Sequence, residues 1–314
     1  MPSPVSLIYP DSPCWHRARA ILLVALCLLA ACSSPHPTSE VRRNFTDGIG
    51  RAVAIKPHPQ RIISLAPSIT ETLFTLGLGD RIVGVTTFCD FPPEAQTKEK
   101  IGDTLHPNLE RIIALKPELV LVSAASQLEI LTRRLDQLQI PVYVLGARTV
   151  GEVVNSIRAL GEITGATERA TTLTADMERR IKEVEQRVKD LPKPRVLYVI
   201  QNGPLITAGR NTFINDLITL AGGQSISAEE TSDYPQFSLE TVVARAPEVI
   251  VSSESHGHSL VDLDRLRRDF AVTPAVKQNR IETVTTDLVD RPGPRIVDGL
   301  EQMMRALHPQ SSRQ

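Results

Sequence analysis

One helix-and-strand phrase occurs twice in this chain, and that repeat limits the possible folds more than any other feature. Residues 108–125 read NLERIIALKPELVLVSAA and residues 238–255 read SLETVVARAPEVIVSSES. At an offset of 130 positions, Asn108 onto Ser238, the residues Leu109, Glu110, Ala114, Pro117, Glu118 and Ser123 fall on Leu239, Glu240, Ala244, Pro247, Glu248 and Ser253. The apolar positions between them stay apolar. A second match, at an offset of 144, sets Leu73, Thr75, Leu76 and Gly79 on Leu217, Thr219, Leu220 and Gly223. Two matches in the same order point to two similar halves rather than one continuous sheet, although shared helix–strand grammar can produce either match alone.

Short β-branched runs recur through both halves: RIISLAP from Arg61, RIVGVTT from Arg81, LVLVSA from Leu119, VYVLG from Val142, RVLYVI from Arg195, EVIVSS from Glu248 and IETVTT from Ile281. They are continuously apolar, as strands covered on both faces are. Helical segments separate them. SITETLFTLGLG opens on a Ser68 to Glu71 capping-box pattern and closes on glycine, and LEILTRRLDQL has its apolar residues at helical spacing. Strand and helix in alternation predict parallel sheets with right-handed crossovers. The expected fold is α/β: two Rossmann-like lobes with parallel sheets joined by a single long helix. That helix is read from TERATTLTADMERRIKEVEQRVKDL, whose Ile181, Val184 and Val188 form one narrow apolar stripe inside a stretch without strand signals.

The first 31 residues carry Arg17 and Arg19 and then an apolar run from Ala20 to Ala31, too short for a comfortable permanent span. They read as an export signal. Its end, Leu29-Ala30-Ala31-Cys32, resembles a bacterial lipobox, which implies lipidation of Cys32 and an anchor to the membrane; the alternative is an ordinary signal peptide cut at small residues. Of the 4 cysteines, Cys14 and Cys27 leave with the signal and Cys32 would carry lipid, so Cys89 remains alone and no internal disulfide is expected. The expected organisation is a signal peptide at 1–31, a flexible tether at 32–59, an N-terminal lobe at 60–148, a helical linker at 149–191 and a C-terminal lobe at 192–314. With 35 basic against 36 acidic residues and a net charge of −1, nothing suggests nucleic acid.

Open parallel sheets bind ligands beyond the carboxyl ends of their strands. The loops expected there carry Phe88, Asp90, Phe91, Asp287, Asp290 and Arg291, flat apolar faces with a few charges, which suit a bulky organic ligand. Glu110 and Glu240 each stand two residues after a capping residue, Asn108 or Ser238. In the first helical turn a carboxylate stabilises the helix dipole. One acid per lobe also makes a two-point pattern that a partner with matching arginines could read. His106, His256 and His258 lie on loops expected at the cleft, where neutral imidazole suits iron, cobalt or zinc; solvated polar filler is the plainer reading.

The segments RIISLAPSITETLFTLGLGDRIVGVTTFCDFPPEA, NLERIIALKPELVLV, YPQFSLETVVARAPEVIV and TTDLVDRPGPRIVDGL together resemble the periplasmic cobalamin-binding proteins of ABC importers, within the helical-backbone class that also takes haem and ferric siderophores. The likeness runs from about Arg61 to Leu307. It implies limited hinge motion, a monomer, and delivery of cargo to a permease and an ATPase, with Glu110 and Glu240 in the positions of the family's permease-docking glutamates. It places ligand contacts at Phe88, Thr104, Ile206 and Tyr234 and carries the family's polar pair to Asp287 and Arg291, with Asp90, Phe91 and Pro92 matching the neighbouring loop. Thr104 and Ile206 stand where tryptophan and phenylalanine are expected.

Three functions follow as expectations. The first is a lipid-anchored periplasmic binding protein for cobalamin or a related corrinoid, not an enzyme and without a resident cofactor. The second keeps the fold and exchanges the cargo for haem or a siderophore. The third is a chelatase-like enzyme, for which the histidines are the only candidate ligands or bases; no nucleophile elbow, Walker loop or dinucleotide glycine motif is present.

Overall fold

The computed structural model describes residues 41–126, 129–254 and 261–310. The expected signal peptide, Cys32, His256 and His258 lie outside the described residues.

Each half builds the same sheet. In the first, β3 (Ile62–Ser64), β4 (Ile82–Val85), β5 (Leu119–Ser123) and β6 (Val142–Leu145) pair in parallel in the order β4-β3-β5-β6. In the second, β7 (Arg195–Val199), β10 (Gln224–Ser225), β11 (Val249–Glu254) and β12 (Ile281–Thr285) pair in parallel in the order β10-β7-β11-β12. In both, the first strand lies inside and the second returns to its outer edge. Four helices pack around the first sheet and the linker: α1 (Pro67–Thr75), α2 (Leu109–Ala114), α3 (Glu129–Gln137) and α4 (Val150–Thr164). After α5 (Thr167–Val188) come α6 (Phe213–Leu220), α7 (Leu239–Arg245), α8 (Leu263–Asp269), α9 (Pro274–Lys277), α10 (Thr286–Val289) and α11 (Ile296–Leu307). A small hairpin of β8 (Gln201–Asn202) and β9 (Leu205–Ile206) follows β7.

The repeat survives in atomic detail. The Glu118 amide donates to the Arg61 carbonyl and the Glu248 amide to the Arg195 carbonyl, both at 2.8 Å. Lys116 and Ala246, each just before the repeated proline, both adopt φ 45°. The arginines brace those turns: Arg61 Nε donates to the Leu115 carbonyl at 3.0 Å and Arg195 Nε to the Ala246 carbonyl at 2.9 Å. The other match behaves differently. The helix-ending bonds Leu78 to Leu73 and Gly223 to Ile218, and the left-handed Gly77 and Gly222, correspond at an offset of 145, so the identities at 144 do not align the helix ends.

Strand burial explains the unbroken apolar runs. Leu119 and Leu121 face one core cluster and Val120 and Val122 another, while Val196 and Tyr198 are divided from Leu197 and Val199 in the same way. Alternate side chains therefore feed opposite faces, and both faces are covered. The largest cluster contains residues of both sheets together with α4, α5 and α11, so the lobes share apolar packing instead of meeting only across solvent.

The strand-free middle holds two helices. Gly161 in α4 lies where an added Cβ would stand 2.3 Å from the Ala170 Cβ, so α4 and α5 approach closely. The 22-residue α5 is about 33 Å long at 1.5 Å per residue. Its buried stripe of Ala170, Thr174, Met177, Val184 and Val188 extends the one read from sequence. Near its start Arg169 donates to the Leu76 carbonyl; just past its middle Arg180 binds Asp298 at 2.6 Å and Glu301 at 2.9 Å. The rod is thus tied to both halves.

Two readings need correction. Residues 43–55, assigned to the tether, form an antiparallel hairpin of β1 (Arg43–Thr46) and β2 (Ala52–Ile55), with Ile55 fully buried. Its turn is closed by Asp47, which accepts from the Ile49 and Arg51 amides and from Arg51 Nε at 2.9 Å. The Ser68–Glu71 capping box does not form either. The helix starts two residues earlier than that pattern requires, at Pro67 after Ala66, and no side chain caps it. Glu71 is inside the helix and buried at 2% exposure.

Candidate functional site

Parallel strands deliver their loops to one end of each sheet, and the loops from the two halves meet there. After β4 the chain forms a broad loop whose Thr87 amide donates to the Gly102 carbonyl at 2.9 Å. Lys100 Nζ holds the Cys89 carbonyl at 3.0 Å from within. Phe88 and Phe91 are left 58% and 41% exposed, although large apolar side chains gain by burial. Farther along, Asp103 turns the chain by accepting from the Leu105 and His106 amides at 2.8 and 2.6 Å. The His106 amide is the main reason that the Asp103 carboxyl is held below its ordinary value. His106 Nδ1 stands 3.3 Å from Asp103, and Thr104 is half-buried between them.

From the second lobe, half-buried Ile206 bridges to Gln236, which brings Tyr234, 52% exposed, to the same rim. Burial raises the Tyr234 hydroxyl above its usual range, with Asp233 and Asp290 adding to the effect. Asp287, Asp290 and Arg291 follow β12 directly.

Arg291 joins the lobes. Its guanidinium reaches Asp90 at 2.7 Å, Asp287 at 3.0 Å and Glu71 at 3.2 Å. Arg295, one turn farther on, makes a fork on Glu71 with bonds of 2.8 and 2.7 Å and lies over the Phe91 ring at 3.9 Å. The peptide between the arginines sits against α1, where a Cβ on Gly293 would meet the Ser68 carbonyl oxygen at 3.1 Å. Of the residues read from sequence, Asp90, Phe91, Asp287 and Arg291 therefore form one ionic and aromatic cluster. Glu71 and Arg295 were missed. The RPGPR spacing put Arg295 within one turn of Arg291, which was the available signal; nothing local marked Glu71 as its partner.

A second polar group lies deeper. Tyr198, fully buried on β7, donates to Asp290 at 3.0 Å, and Ser253 donates to the other carboxylate oxygen at 3.2 Å. Burial raises the Asp290 carboxyl; the Tyr198 and Ser253 bonds oppose this and the Asp287 charge adds to it. The sign follows from proton linkage. A folded carboxyl with a raised pKa stabilises the fold below the unfolded value of about 3.9, and that contribution is lost as pH rises through the folded value. Asp290→Asn should therefore melt a few degrees higher than the native protein at pH 7 and converge with it below pH 4, measured by thermal melts at several pH values. A variant that melts lower at pH 7 would show that the carboxylate is favoured in the fold.

Glu110 and Glu240 lie in the first turns of α2 and α7, as read. Asn108 and Ser238 cap those helices through bonds from the Arg111 and Thr241 amides. Both glutamates are exposed. The Glu240 carboxyl is lowered by its own backbone amide and by Ser238. In a parallel α/β sheet such helices begin at the strands' carboxyl ends, so both acids stand near the edge where the loops meet. Among the described residues no group of three or more His, Cys, Asp and Glu side chains could hold a metal ion. Nor is any described helix long and apolar enough to cross a membrane.

The model of a family described as periplasmic binding protein matches residues 62–288. The chain belongs to that family. This periplasmic binding protein is 31% identical to the uncharacterized ABC transporter substrate-binding lipoprotein YvrC of Bacillus subtilis, over 92% of this chain and 96% of the relative. It is 30% identical to the cobalamin-binding protein of Halobacterium salinarum, over 93% and 85% of the two chains. Among solved structures, the periplasmic vitamin B12-binding protein BtuF of Vibrio cholerae matches with a TM-score of 0.72 and 29% identity, covering 82% of this chain and 99% of that one. The periplasmic heme-binding protein RhuT from Roseiflexus matches with a TM-score of 0.71 and 26% identity, covering 80% and 99%. The relatives are named for binding a substrate.

Proposed function

We propose that this periplasmic binding protein captures cobalamin or a related corrinoid between its lobes and presents it to an ABC importer, held at the membrane by lipid on Cys32. The observation that carries the reading is the cluster of Asp90, Asp287 and Arg291 at the meeting of the strand tips, flanked by the exposed rings of Phe88 and Tyr234. Flat apolar faces beside a few fixed charges suit a large, rigid ligand whose rim carries amides. Relatives named for cobalamin or vitamin B12 support the choice of cargo. Thr104 and Ile206 replace flat surfaces with smaller ones, so Phe88 and Tyr234 carry most of the stacking.

Calorimetric titration with cyanocobalamin tests this. One equivalent should bind with measurable heat, and haemin should leave its Soret band unshifted in the presence of the protein. No cyanocobalamin heat at several temperatures, together with a shifted Soret band, would transfer the reading to haem. One feature favours that second reading: exposed His106, which has Asp103 beside its Nδ1, offers an imidazole at the rim. In that case His106→Ala should abolish the Soret shift.

A further inference from the structure

The helices that carry Glu110 and Glu240 share more than the acid. Under the offset of 130, Ile112 and Val242 correspond, and both are fully buried. Ile113 and Val243 also correspond, and they are exposed to almost the same extent, 40% and 39%. Ala114 and Ala244 come next, and both are exposed. On a helix the spacing i, i+3, i+4 puts glutamate, aliphatic residue and alanine on one face. Each lobe therefore presents the same small footprint, an acid beside an apolar patch.

A single exposed aliphatic residue needs no explanation. Two at equivalent positions, each beside an exposed acid, are a different matter: with the shared Leu109 and Leu239 they keep the same pattern in both helices while other positions of the repeat have changed. Arg111 stands opposite Thr241, and Lys116 opposite Ala246. Arg111 does not cover the acid beside it; its guanidinium is turned onto the Lys100 carbonyl at 2.8 Å and towards Glu99 at 3.7 Å.

We propose that Ile113 and Val243, with Ala114 and Ala244, form the apolar part of the surface on which the importer's permease docks. This rests on the docking reading of Glu110 and Glu240. Charge complementarity sets the partner's chemistry: a basic side chain for each glutamate, with an apolar surface next to it. Two equal footprints on one chain call for a partner with two equal surfaces, a permease built from two copies of one subunit or from two like halves. The acids guide the approach and fix orientation over a distance; the aliphatic patches act only in contact.

The test measures docking of purified variants to the cognate permease–ATPase complex in lipid nanodiscs, at low and high salt. The Ile113→Ser/Val243→Ser pair should lose about tenfold in docking affinity at either salt concentration, within the range that truncation of interface residues produces. The Glu110→Gln/Glu240→Gln pair should lose more at low salt than at high salt, since salt screens exposed charges. A control pair at other exposed aliphatic sites, Ile130→Ser/Val272→Ser, should dock like the native protein. Unchanged melting temperatures for all three would show that folding is intact. Native-like docking of the Ile113/Val243 pair, while the glutamate pair loses affinity, overturns the apolar footprint and leaves the docking reading standing. Native-like docking of the glutamate pair overturns the docking reading itself. Equal losses in the control pair would also overturn the footprint.

Discussion

Glu71→Ala is expected to cost about 3 kcal/mol of stability, towards the lower end of what breaking a buried ion pair costs. The carboxylate is 2% exposed and lies between two guanidiniums, Arg291 at 18% and Arg295 at 23% side-chain exposure. Removing it leaves two mostly desolvated cations. Arg291 keeps Asp90 and Asp287, but Arg295 loses both arms of its fork and retains the Phe91 ring as its described cationic contact. Because both guanidiniums still reach some solvent, the cost stays well below that of a fully enclosed pair. For a domain of this size the melting temperature should fall by roughly 6–12 °C, at about 2–4 °C per kcal/mol. Glu71→Gln preserves the shape and one acceptor oxygen, so it should fall by less. Denaturant and thermal melts on the three proteins decide the matter. If Glu71→Ala melts within a degree of the native protein, the arginines are satisfied elsewhere and the carboxylate does not join the lobes.

The same residue shows where local reading stops. Ser68-Ile69-Thr70-Glu71 fits the capping-box pattern as well as any genuine example, yet the helix begins at Pro67 and the acid serves arginines 220 and 224 positions away. No window along the chain distinguishes those outcomes, because the decision lies in which segment packs against α1. Asn108 and Ser238 were legible for the opposite reason: a cap bonds to an amide three residues on, so pattern and contact coincide.

Strands followed the same rule. Those buried on both faces carry continuous apolar runs and were readable, whereas β10 spans only two residues, too short for any period to register. The hairpin at 43–55 was hidden by small residues; Ala52 and Ala54 alternate with Val53 and Ile55, but a four-residue alternation after a Ser- and Pro-rich stretch does not stand out from a tether. Of the ionic cluster, Arg291 and Asp287 were legible from their place on the loop after a strand and from the family resemblance. The link that binds them to Asp90 and Glu71 was not, since it joins the two ends of the fold.

The largest functional effect is expected from reversing both repeated acids. Glu110→Arg/Glu240→Arg should abolish cyanocobalamin uptake while leaving the affinity for cyanocobalamin close to native. Both side chains are exposed in the first turns of their helices, outside the Asp90–Arg291–Asp287 cluster, so their loss removes no contact within the proposed ligand site. The helices themselves lose a favourable dipole interaction of only about 0.3–1 kcal/mol each, which is too little to unfold either lobe. Docking is affected far more. A charge-assisted hydrogen bond contributes about 1.5–3 kcal/mol, so two lost contacts lower docking by two to four orders of magnitude, before repulsion between like charges is added. Uptake into cells lacking the native protein and ATPase stimulation of the reconstituted importer measure the loss; calorimetry measures the retained affinity. Single reversals should fall between, because one lobe can still engage while the other is repelled. Normal uptake by the double variant would assign the glutamates to helix capping alone, and a parallel loss of cyanocobalamin affinity would place them in the ligand site instead.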